Sequence, residues 1–273
     1  MTTPFYTEDH EAFRALVREF VEKELSPHVK AWDDAREFPR AVYEQAGALG
    51  VFGIGFDEVY GGLGKEDPVL RFIVQQEFAR CGAGGVAAGL LGSFYISQPP
   101  IQRLGSEALK ARILPETIAG RKIGALCITE PGTGSDVARI TTRADRDGDH
   151  YVLNGSKTFI TSGMRADVLT VAVRTGEDGA GGISLLVVEG DTPGLSRTKL
   201  EKMGWHASDT AMLYFEDCRV PVANLLGPEN SGFKTIVSNF NLERLDLIAG
   251  SASFAQLCLE AAIAYAQERP ITR

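Results

Sequence analysis

The chain has 273 residues, 44% hydrophobic and 8% aromatic, enough for one or two domains with a sizeable core. A formal net charge of -8, without any basic run, argues against a nucleic-acid partner and for a small-molecule ligand. Four separated cysteines, Cys81, Cys127, Cys218 and Cys258, match neither a disulfide framework nor a zinc site. They read as buried thiols of a reducing, cytoplasmic compartment.

The first residues are polar and acidic, without a signal pattern, and no later run is read as membrane-spanning. From Asp9 to about Arg121 the apolar residues recur at helical spacing. Phe13, Leu16, Val17, Phe20, Val21 and Leu25 mark one face before Pro27 stops the helix. The same spacing predicts helices over 40–49, 68–81, 85–95 and 107–118, with "EVYGGLG" as a loop.

From Gly124 the period changes. "HYVLNGSKTFIT", "VLTVAVR", "ISLLVVE" and "TAMLYFEDCRV" are short β-branched or aromatic runs broken by Gly, Asp, Asn and Pro, which predicts an antiparallel β domain. Asn154 and Gly155 between apolar runs carry a hairpin signal. After "LLGPENSGF" the helical period returns from Gly232 to Glu268, a length that needs partners to bury its apolar side. The fold class is α+β: a helical domain over 1–123, a β domain over 124–231, and over 232–273 the first helix of an unfinished C-terminal helical domain.

Three stretches carry candidate chemistry. At 3.6 residues per turn Ile236, Phe240, Glu243, Leu247 and Phe254 share a stripe, so a carboxylate sits in an apolar face. Burial there would raise its pKa toward that of a general base; the other reading is a structural carboxylate paired to Arg244 or another helix. "ITEPGTGSDV" has glycines but no lysine, and fits neither a Walker loop nor a dinucleotide fingerprint. Its plain reading is a tight strand-to-loop connection capped by Asp136. "KTFITSG" would present Thr158, Thr161 and Ser162 beside Phe159, a wall for a flat heterocycle or an ordinary half-exposed strand. The four histidines are scattered and suggest no metal site or hydrolase triad.

In order and spacing, "ITEPGTGSDV", "LNGSKTFITSG", "KMGWHASDTAMLYFEDCRVP", "NLLGPENSGF" and "ERLDLIAGSA" resemble the acyl-CoA dehydrogenase family over nearly the whole chain. The resemblance implies an FAD-dependent α,β-desaturation of an acyl-CoA thioester, with electrons passed to an electron-transfer flavoprotein. Leu126, Ile128, Thr129, Gly134 and Ser135 match the first flavin-contacting segment, and Phe159, Ile160 and Thr161 the second. Ser135 also matches a CoA contact. The acids flanking the turn, Glu130 and Asp136, are assigned to holding the loop. Glu243 in "LERL" matches the catalytic base of the isovaleryl-CoA and long-chain type, and Asn241 and Arg244 match substrate-facing neighbours. The resemblance further implies that the flavin ribityl chain and the glutamate's own backbone N–H stabilise charge on the thioester carbonyl.

Relatives usually continue for about a further hundred residues, the rest of a helical bundle. Here the match runs to Arg269, a position that reaches the FAD pyrophosphate of a neighbouring subunit in a homodimer or homotetramer, and departs at Pro270. Either the chain is a truncated dehydrogenase or a short form that borrows a partner's helices. The stripe Ile248, Leu257, Ala261, Ala264 and Tyr265 would otherwise face water, which favours truncation and weak flavin retention. His206 stands where relatives often have arginine, and Phe159 where several have tryptophan. An acyl-CoA oxidase or flavin monooxygenase on the same scaffold, and a non-catalytic acyl-CoA-binding or flavin-binding subunit, are the competing readings.

Overall fold

Thr7 opens the first helix, α1 (Glu8–Phe20): its hydroxyl accepts from the His10 N–H, and the His10 ring accepts from the Thr7 N–H. The computed structural model describes residues 5–64 and 67–270; the outer ends of the first and last zones, 1–4 and 271–273, lie outside them. A π-helical turn over Val21–Leu25 carries α1 to the stop at Pro27. α2 (Val29–Ala35) follows, too short and polar to show a period. α3 (Ala41–Ala48) and α4 (Pro68–Ala79) fall on predicted segments, α4 with Asp67 as its cap and Pro68 in its first turn. The helix expected over 85–95 is built from α5 (Gly84–Ala87), a π turn and α6 (Ser93–Ser97). α7 (Pro99–Leu104), hidden in the sequence by its two leading prolines, and α8 (Glu107–Ile118) complete the helical zone.

Seven strands form one sheet: β1 (Gly124–Cys127), β2 (Arg143–Asp147), β3 (His150–Thr161), β4 (Val168–Arg174), β5 (Ile183–Glu189), β6 (Leu195–Lys199) and β7 (Thr210–Pro221). Their order is β1-β4-β2-β3-β7-β6, with β5 also on β4. The sheet is mixed, which corrects the purely antiparallel expectation: β1 runs parallel to β4, and β2 meets β4 in parallel at Arg143 and Arg174. The β2–β3 hairpin lies between β1 and β4 in the chain and provides the crossover that parallel pairing requires. Val168, Ala172, Leu185 and Val187 face the helices, whereas Leu169, Val171, Leu186 and Val188 build a second core with β3 and β7.

The hairpin expected at Asn154–Gly155 does not form. β3 runs through this pair, and the register against β7 shifts there. Asn154 exchanges two hydrogen bonds of 3.0 Å with Asp217, replacing the turn with a side-chain bridge. Gly155 has φ +148, and a Cβ on it would lie 2.6 Å from Thr142 Oγ1. The chain turns instead at Gly148, φ +63, between β2 and β3.

α9 (Gly232–Glu268) is a single helix of 37 residues. It packs on α4, where Asp246 pairs with Arg71 and Glu260 with Arg80, and Ile236, Asn239 and Asp246 are buried. Ile248 and Tyr265 are exposed, as the sequence implied, whereas Leu257 is half-buried. α9 is long and apolar enough by composition to cross a membrane, with mean hydropathy 1.5 over 18 residues, which corrects the reading that no run reaches that length. Cys81, Cys127 and Cys218 are buried, but Cys258 on α9 is exposed, a second correction.

Candidate active site

Helical spacing puts Glu243, Asp246, Gly250 and Phe254 on the side of α9 that faces α4 and the α5–α6 segment. Between them lies a cavity of about 220 Å³, whose wall also includes Thr161, Tyr95, Ile96 and Trp205. Glu243 Oε2 is buried there and has no hydrogen-bond partner among the described residues. Burial pushes the Glu243 carboxyl above its ordinary range; Arg244 opposes the shift and Asp246 adds to it. Leu247, assigned to the same apolar stripe, is largely exposed although it touches the cavity.

The structural pairing of Glu243 with Arg244 is not what the side chains make. Arg244 donates to Asn241 Oδ1 at 3.4 Å and lies 5.8 Å over the Phe240 ring. The buried ion pair belongs to the next turn. Arg71 on α4 donates through Nε to Asp246 Oδ1 at 3.2 Å and through Nη2 to Oδ2, and its guanidinium stands 4.3 Å over the Tyr95 ring. Tyr95 in turn donates to Val51 O at 2.7 Å, which fixes this wall of the cavity.

The two predicted flavin segments lie side by side, because the Thr158 N–H donates to Thr129 O at 2.9 Å. A register shift between Lys157 and Ile160 takes Phe159 out of the ladder. Phe159 has φ +59 and is 70% exposed. A bulky residue held in the left-handed region costs about 1–3 kcal/mol and marks places where geometry serves a ligand. Ile160 points into the β core at 2% exposure, so only its backbone faces the segment. Of the three hydroxyls in "KTFITSG", Thr161 alone lines the Glu243 cavity; Thr158 is buried, and Ser162 Oγ lies 3.5 Å from the Tyr43 hydroxyl.

The other predicted residues lie around the cavity or away from it. Ile128 is buried, and Leu126 and Thr129 are half-buried. Gly134 and Ser135 sit on the exposed loop after β1. Asn241 and Arg244 are exposed, outside the cavity wall. Arg269 is exposed beyond the last turn of α9.

Comparison with known proteins matches this arrangement from end to end. Residues 7–121, 125–218 and 230–272 match the N-terminal, middle and C-terminal domains of acyl-CoA dehydrogenases. A probable acyl-CoA dehydrogenase from Mycobacterium abscessus superposes with a TM-score of 0.95 at 44% identity, over 98% of this chain and 72% of that one. The chain belongs to the acyl-CoA dehydrogenase family. Isobutyryl-CoA dehydrogenase of Dictyostelium discoideum is 41% identical over 94% of this chain, which spans 61% of that relative's length. An acyl-CoA dehydrogenase from Bacillus anthracis solved with FAD has a TM-score of 0.91 at 32% identity, over all of this chain and 47% of that one.

Within this family scaffold, the turn after β1 shows what the sequence pattern concealed. The lysine missing from "ITEPGTGSDV" comes from β3: the buried Lys157 donates to Ile128 O at 3.0 Å and Glu130 Oε1 at 2.8 Å. Glu130 also accepts from the backbone of Thr141 and Thr142 at 2.7 and 2.9 Å. Burial alone would raise the Glu130 pKa, but Lys157 and these donors bring it down to about 2. Glu130 therefore holds the loop, as assigned. Asp136 does not: its carboxylate makes no capping bond, and its backbone carbonyl accepts from Thr133 Oγ1 at 2.6 Å.

The sequence reading did not select Arg71, Tyr95, Lys157, Trp205 or Asp246. For Asp246 a signal was present, since it is a charged residue between Leu245 and Leu247 in an apolar run. Another expectation also changes. Glu243 stands well inside α9, where its backbone N–H is spent on the helix's own ladder, so the donor implied for the thioester carbonyl is not open here.

Proposed function

We propose that this chain carries out the α,β-dehydrogenation of an acyl-CoA thioester, with Glu243 as the base and FAD as cofactor. The observation that carries the reading is the buried, unpartnered Oε2 of Glu243 in a cavity that also contains Thr161. The segments 126–129 and 159–161 fit a flat heterocycle: they are bonded side by side, and Phe159 is held outward at φ +59. Bound FAD supplies the acceptor for the β hydride.

The protein's own part is to hold and move a proton. An α proton of a thioester is only weakly acidic, and a carboxylate surrounded by water is a poor match for it. Burial strips Glu243 of water and raises its proton affinity, so its free oxygen is set to take a proton from a substrate carbon in the cavity. Tyr95, Ile96 and Phe254 line that cavity and exclude solvent from the acyl group.

Gly134 and Ser135 are assigned to the cofactor, Ser135 also to the CoA portion, and Asn241 and Arg244 to the substrate; all four are exposed. Arg269 is assigned to the FAD of a neighbouring subunit. A homo-oligomer, a dimer or tetramer, is proposed as the assembly on the family resemblance. An electron-transfer flavoprotein is the proposed acceptor and the cytoplasm the proposed location. Anaerobic mixing of the FAD-loaded protein with a panel of acyl-CoA thioesters tests the assignment. Bleaching of the flavin followed by slow reoxidation in air is expected; no bleaching, or fast return in air, rejects it.

A further inference from the structure

The cavity beside Glu243 has a neighbour, and the two share a wall. Trp205, Gly84, Ser251 and Phe254 line both the inner cavity of about 220 Å³ and an outer one of about 810 Å³, which opens toward Val29 and Asp33. Small-ligand sites span roughly 300–1,000 Å³, so the inner cavity alone is small and the two together exceed that range. What separates them decides how much acyl chain fits.

Resting on the functional reading above, we infer that the Trp205 indole is the stop that sets acyl-chain length, confining the substrate to short or branched acyl groups. The backbone of Trp205 is pinned: its carbonyl accepts from Lys202 Nζ at 2.8 Å and from the Ser208 N–H at 3.3 Å, and its φ is +54. The indole itself is 57% exposed and rests on a glycine step. A Cβ on Gly84 would stand 2.4 Å from Trp205 Nε1, and one on Gly85 2.9 Å from the Trp205 carbonyl carbon. Gly84 thus makes room for the ring against the cavity wall, and Gly85 for the Trp205 backbone. Removing the ring joins the inner space to the outer one without touching Glu243 or Thr161.

The test compares kcat/KM for butyryl-, octanoyl- and palmitoyl-CoA with a dye acceptor, using FAD-loaded wild type, Trp205→Ala and Gly84→Ala. Wild type is expected to favour butyryl-CoA, and Trp205→Ala to raise the palmitoyl-to-butyryl ratio by about tenfold or more. Gly84→Ala, which displaces the same ring from the opposite element, is expected to shift the ratio the same way. A ratio unchanged in both variants, with flavin still bleached by thioesters, overturns the stop and leaves the functional reading intact. Absence of bleaching by every thioester in wild type overturns both.

Discussion

Glu243 and Asp246 stand one turn apart on α9 and line the same cavity, yet among the described residues only Asp246 has a cation against it, Arg71. One carboxylate is fixed by its partner. The other is left with a free oxygen facing the space where a substrate would lie.

The pH dependence of activity follows from this arrangement. Burial raises the Glu243 pKa, Arg244 lowers it and Asp246 raises it further, and the base works only when ionised. Activity therefore falls as pH drops through the raised value. Asp246→Asn removes the neighbouring negative charge and leaves Arg71 in place, so the acid limb of the kcat/KM profile moves to lower pH. Replacing the whole pair by leucines costs little stability, whereas Asp246→Leu alone leaves Arg71 buried and unpaired and costs about 3–5 kcal/mol. Arg244→Gln moves the limb the other way, by a small amount because Arg244 is exposed and screened. Equal acid limbs in all of these proteins contradict the assignment of that limb to Glu243.

Acid stability of the β domain reports on Glu130. Its pKa falls from 4.5 to about 2 on folding, because Lys157 and the Thr141 and Thr142 donors outweigh burial. A depressed carboxylate contributes stability that is fully present above pH ~4.5 and lost as pH falls toward about 2. Denaturant unfolding of wild type and Glu130→Gln across that window shows the difference between them shrinking as pH falls. Lys157→Met, measured at neutral pH, destabilises by about 3–5 kcal/mol because Glu130 is left buried without its partner.

Phe159 separates ligand binding from folding. Its ring is 70% exposed, so Phe159→Ala leaves the melting temperature close to wild type. Loss of an aromatic face against the flavin weakens FAD binding by about 1–3 kcal/mol, the size of base-on-aromatic stacking. Equilibrium titration of the apoprotein with FAD measures it, and unchanged affinity removes Phe159 from the cofactor site.

Much of this architecture is legible in the sequence where one physical signal acts alone. The short apolar, β-branched runs "VLTVAVR" and "ISLLVVE", broken off by Gly, Asp and Asn, give β4 and β5, and the 3.6-residue period after Gly232 gives α9. The apolar stripe singles out Glu243 but also allows a structural carboxylate, and it is the resemblance of "LERL" that makes it the proposed base. Local pattern fails where a distant residue decides. Asn154–Gly155 looks like a hairpin turn until Asp217 takes the Asn154 side chain. The loop before β2 looks lysine-free until β3 brings Lys157 back to it. Arg71 and Asp246 are 175 positions apart in the chain, and nothing in either stretch announces the other.

The most direct test of the base is Glu243→Gln in the FAD-loaded protein, mixed anaerobically with a reactive acyl-CoA. Glutamine keeps the shape but cannot take a proton, so bleaching should slow by at least about a hundredfold while the thioester binds with little change. Bleaching at the wild-type rate in that variant would place the base elsewhere and contradict the account.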